Sequence, residues 1–73
     1  MDRAEIDPAI KCILSEIAIR LADAARIAKA ADACAASGSV TEGVTVSMDI
    51  DQTLYEVGRL HDAASLLSRL SRE

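Results

Sequence analysis

The chain has 73 residues, 51% of them hydrophobic, yet Tyr55 is its single aromatic residue and Phe and Trp are absent. Twelve acidic residues against eight basic ones leave a net charge of −4, which repels phosphate backbones and argues against nucleic-acid binding. This length allows one small domain, and its Ala, Ile, Leu and Val content suits closely packed helices better than a bulky core.

The first residues, Met1-Asp2-Arg3-Ala4-Glu5, lack the basic and apolar regions of a secretory signal. Asp7-Pro8 reads as a helix start. The Asp carboxylate accepts from orphan amides, and a proline at the first helical position loses no needed hydrogen bond. Eleven of the 28 residues from Ala9 to Ala36 are alanine, the best helix former. Glu16 and Arg20 form a favourable (i, i+4) pair. Ser37-Gly38-Ser39 stops the helix, with Gly38 free to take the left-handed cap. The spacing therefore predicts a helix over 8–37, a rod of about 43 Å.

Within it, Ile10, Leu14, Ile17, Leu21, Ala24, Ala28, Ala31 and Ala35 recur at alternating spacings of 4 and 3. Such a heptad stripe is a packing surface for another helix. Ile13, Ile27 and Cys34 flank it, while Cys12, Ala18, Ile19, Ala22, Ala25 and Ala33 lie elsewhere around the helix. A helix apolar on so many sides is normally covered by more than one neighbour. Charges from Lys11 to Asp32 interrupt every candidate membrane span.

Residues 38–47 read as a loop. Val40, Val44 and Val46 with Gly43 suit extended backbone, and the three valines are candidates for contact with a partner. A second helix is predicted over 48–71, with Asp49 and Gln52 resembling a capping box and Asp49 and Asp51 complementing the positive helix end. Its apolar face is Ile50, Leu54, Val57, Leu60, Ala64 and Leu67, widened by Ala63, Leu66 and Leu70. Folding back at residue 42 makes paired residue numbers sum to about 84. That register sets Gly58 against Ala25 and Arg26, Cys34 opposite Ile50 and His61 opposite Asp23.

Groups able to carry chemistry are scattered. Cys12 and Cys34 are 22 residues apart on one helix, about 33 Å, so they cannot bond to each other there and read as free thiols in a reducing cytoplasm. No Cys-x-x-Cys or His-x-x-x-His pair offers a metal site. Glu42, Asp49 and Asp51 gather near the loop, where capping explains the last two better than a cation does. Serines at 37, 39, 47, 65, 68 and 71 lack a patterned base, and no phosphate-cradling loop occurs.

His61, the single histidine, precedes Asp62. This pair resembles the phosphoacceptor box of histidine-kinase dimerisation domains, which implies phosphotransfer at His61. In those domains the histidine lies on the first helix, followed by a proline and a basic residue; here Ala63-Ala64-Ser65 follow, on the second helix. The Lys-Gly pair of histidine phosphotransfer bundles is also missing.

The expected architecture is all-α: an antiparallel two-helix hairpin that dimerises into a four-helix bundle. A lone hairpin hides little surface for its length, so a second copy, as a dimer or tetramer, is expected to supply the rest. The expected interface draws on Ile10, Leu14, Ile17, Leu21, Ala24, Ala28, Ala31, Val57, Leu60, Leu67 and Leu70, without dividing contacts within a hairpin from those between hairpins. The function expected is a non-enzymatic, cofactor-free, cytoplasmic interaction module, an adaptor or small regulator that binds itself and another protein. A His61 phosphotransfer bundle and a ligand or metal carrier within the bundle are the alternatives.

Overall fold

A computed structural model describes residues 2–72. It contains three helices, α1 (Arg3–Ala36), α2 (Val40–Ser47) and α3 (Asp49–Ser71), and no strand among the described residues. α2 and α3 form one bent arm folded back along α1, in a rod of 54 × 14 × 12 Å.

Helix α1 begins five residues before the expected start. Asp2, not Asp7, is its N-cap, with the carboxylate accepting from the Ala4 amide at 3.0 Å. Glu5 adds negative charge to the first turn. Pro8 therefore sits inside the helix, where it removes the donor that would reach the Ala4 carbonyl. The compensation is burial: Ile6, in the turn before the proline, is only 4% exposed, the most buried apolar side chain described.

The reversal matches the expected stop. Gly38 takes φ +100°, a left-handed conformation that a Cβ disfavours. Its amide donates to the Ala35 carbonyl at 3.0 Å and that of Ser39 to Cys34 at 2.9 Å. These two bonds are a Schellman motif.

The expected loop over 38–47 is a two-residue turn followed by helix. Val40–Ser47 is α-helical despite its β-branched residues, because packing along α1 outweighs their weak helix propensity. Gly43 is buried there. A Cβ on Gly43 would lie 2.8 Å from the Ala31 carbonyl oxygen and 3.4 Å from the Ala35 nitrogen, so only glycine permits this approach. Gly58, expected to be the close-approach glycine, has open space at its Cβ position.

The expected Asp49 capping box is absent: α3 follows Met48 with no side-chain cap. The Met48 amide donates to both Val44 and Thr45 carbonyls at 3.2 Å, so the backbone bends without ending the helix.

Arg20 meets Glu56, and Gly43 meets Ala31 and Ala35. Paired residue numbers thus sum to about 77, not 84, because the chain turns at Gly38 rather than at residue 42. Cys34 consequently lies across from Gly43, and His61 is exposed. The seam between the arms is formed by Ile6, Ile10, Ile13, Ile17, Arg20, Ala24, Ile27, Ala31 and Cys34 against Gly43, Val46, Ile50, Thr53, Val57, Leu60, Ala64 and Leu67, all buried or half-buried. Both rows keep the alternating 4 and 3 spacing of an antiparallel coiled coil. Among the described residues, no large side chain is completely buried.

Two expectations follow. Ile6→Ala lowers stability by about 2–3 kcal/mol, read from urea-induced unfolding by circular dichroism. Gly43→Ala forces the helices apart and costs about 1–3 kcal/mol, whereas Gly58→Ala gains about 0.5–1 kcal/mol from helix propensity; thermal melts of the two variants should shift in opposite directions.

Candidate interaction surface

The hairpin has two unlike faces, set by which heptad positions flank the seam. On one face Arg20 leaves the seam and joins the helices electrostatically. Its Nε donates to Glu16 Oε1 at 3.0 Å and its Nη1 to Glu56 Oε1 at 2.7 Å. Arg26 pairs with Asp23 on the same side. A shallow groove of about 450 Å³ runs here, lined by Ile19, Arg20, Asp23, Arg26, Thr53 and Glu56 among others. All four of its charged side chains take part in these pairs, so no charge in it is left over for a bound ion.

The opposite face is apolar along α1, while on α3 the row of Leu54 also holds Ser47, His61 and Ser68 and the row outside it holds Asp51. Helical spacing puts Leu14, Leu21 and Ala28 next to the α1 seam and Leu54 next to the α3 seam, with Ala18, Ala25 and Gly58 one row further out. Leu14, Leu21 and Leu54 are 52%, 43% and 52% exposed. Lys11 and Asp32 bracket this face in the same outer row as Ala18 and Ala25.

Of the residues expected at an interface, Ile10, Ile17, Ala24, Ala31, Val57, Leu60, Leu67 and Leu70 are buried or half-buried within the single hairpin. Leu14, Leu21 and Ala28 remain exposed. Sequence reasoning missed Ile6, Ile13, Ile27 and Cys34 as the second row of the α1 seam; their own spacing of 7, with Arg20 between, was the available signal. Val40 and Val44 project from α2 into solvent, while Val46 turns into the seam. They lie on a helix rather than a loop.

The chemically capable groups stay dispersed. Cys12 is exposed and Cys34 half-buried, both as free thiols. No cluster of three His, Cys, Asp or Glu side chains suited to a metal ion occurs among the described residues. Several hydroxyls are engaged by their own helices: Ser37 donates to the Cys34 carbonyl, Thr45 to Thr41, Ser47 to Val44 and Ser71 to Ser68. Such local bonds satisfy a hydroxyl rather than activate it. Among the described residues no helix is long and apolar enough to cross a membrane.

Against known protein families, curated proteins and solved structures, the chain finds no match.

Arg20 sits at a seam position with its charges partly solvated, so its ion pairs specify register more than they stabilise. Arg20→Leu should leave the melting temperature unchanged or higher, while Glu56→Gln should cost less than about 1 kcal/mol and lose its effect in high salt; paired melts at low and high ionic strength check both.

Proposed function

We propose that this protein is a non-enzymatic, self-associating helical module, in which two hairpins combine into a four-helix bundle that serves as an adaptor or small regulator. The observation that carries this reading is surface area. The hairpin exposes 5269 Å², whereas a compact monomer of its 7.7 kDa mass would expose about 4,300 Å². The excess is close to the roughly 800 Å² that each partner contributes to a standard protein interface. Part of it is apolar: leucines 14, 21 and 54 are all more than two-fifths exposed, on one face of the hairpin. Exposed patches of this kind mark association sites.

The two thiols lie 22 residues apart on α1 and His61 lies on α3, which supports a binding role over catalysis, since nucleophile, base and positioning group must converge. Two free thiols suit a reducing compartment such as the cytoplasm. A further protein partner would then meet the assembled bundle through its charged outer faces or through Val40 beside the turn.

Self-association makes stability depend on concentration. Sedimentation equilibrium should give twice the chain mass at micromolar concentration, and the thermal midpoint should rise on concentrating the sample. A folded monomer with a midpoint indifferent to dilution would overturn the proposal.

A further inference from the structure

We infer that the apolar face docks a second copy of this chain in one defined arrangement: the two-fold axis crosses the rod beside Leu21 and Leu54, and each α1 packs antiparallel on the partner's α1. The inference rests on the self-association proposed above and adds to it the face, the axis and the orientation.

The outer row of α1 on this face reads Lys11, Ala18, Ala25, Asp32. It is a palindrome in size and an antipalindrome in charge. Rotation about an axis midway along the row brings Lys11 against the partner's Asp32 and Asp32 against the partner's Lys11. Ala18 then meets the partner's Ala25, where two small side chains let the helices come close. Neither Lys11 nor Asp32 takes part in the ion pairs recorded within the hairpin. They are about 32 Å apart along α1, so within one chain they cannot neutralise each other.

The inner row obeys the same axis. Leu21 lies at its centre and meets the partner's Leu21. The register of the hairpin, fixed by Arg20 against Glu56, brings Leu54 to the same level on α3. Four leucines, two from each copy, therefore form one layer at the middle of the assembly. The axis also falls near the midpoint of Arg3–Ala36 and of the Val40–Ser71 arm, so the two rods overlap along nearly their whole length. That overlap is what the excess exposed area requires.

The other two-fold arrangement, with parallel hairpins and α1 against the partner's α3, preserves a leucine layer but loses the charge match. It puts Lys11 near the partner's Ser65 and Asp32 near the partner's Val44. The opposite face of the hairpin is a poorer candidate, because five charged side chains, Glu16, Arg20, Asp23, Arg26 and Glu56, would have to be desolvated there, against Asp51 and His61 on the α3 side of the inferred face.

Disulfide trapping tests the arrangement in the full chain carrying Cys12→Ser and Cys34→Ser. Leu21→Cys should form a self-linked dimer rapidly under mild oxidation, because the axis brings two copies of that position together. Ile19→Cys, on the charged face, should not. In parallel hairpins Leu21→Cys would fail to link to itself, and an equimolar mixture of Leu21→Cys and Leu54→Cys chains would link instead. Charge reversal gives an independent reading: Lys11→Glu alone should weaken the dimer by about threefold or more, and Lys11→Glu with Asp32→Lys should restore it. Leu21→Glu should raise the dissociation constant by more than about tenfold. A wild-type monomer would remove self-association itself. A wild-type dimer that links through Ile19→Cys, or through the Leu21→Cys and Leu54→Cys mixture, would overturn only the arrangement inferred here.

Discussion

Backbone approach at one point governs how the rest of this hairpin is built. Gly43 lies so near the Ala31 carbonyl and the Ala35 amide that any side chain would collide with them. That contact draws α2 against α1 within a few residues of the turn. Once it is made, the pairing of every later residue follows, since both arms carry the same alternating 4 and 3 spacing. A slip by a full heptad would keep apolar rows together but would break the contact and part Arg20 from Glu56. Steric fit at one end and charge at the centre thus specify a single register, in the way that polar seam residues do in coiled coils.

The same geometry limits what one chain can hide. Ala24 and Ala64 are buried, whereas most isoleucines and leucines of the seam are half open to solvent. Two helices meet along one line, and among the large side chains described only Ile6 is buried. The exposed leucines are therefore a consequence of having two helices, whatever the detailed packing. A second layer of helices would convert the seam into a core.

The helical class, the antiparallel hairpin and the stop at Gly38 were readable from sequence. They follow from alanine content, apolar period and one residue suited to left-handed backbone. The first turns of α1 were hidden because Asp7-Pro8 imitates a helix start; only the burial of Ile6 shows that the helix reaches further. Residues 40–47 misled for a related reason. Val40, Thr41, Val44, Thr45 and Val46 have weak helix propensity, and tertiary packing overrides it. The signal was nonetheless present, since Gly43, Val46, Ile50 and Thr53 continue the α3 period across the supposed boundary. On α1 the ambiguity was deeper: Ile10, Ile17, Ala24 and Ala31 belong to two overlapping stripes. The row containing Leu14 and Leu21 is uniformly apolar, so it looked like the core, whereas the row the fold uses has Arg20 at its middle. For the candidate site this ambiguity is informative, because the unused row is the open face.

The tight reversal at Gly38 also gives the molecule a direction in time. Ala35 and Gly43 are only eight positions apart in the chain, so closing that loop costs little entropy, whereas Ile6 must find the far end of α3 across more than sixty residues. The hairpin is accordingly built to zip from the turn outward, with mostly local encounters of the sort that make helical proteins fast folders. Its open end, where the Schellman turn has least influence, is the part that frays first and re-forms last. Ile6 acts there as a clasp, and the interior proline just beyond it weakens the backbone at the place where the clasp is most needed.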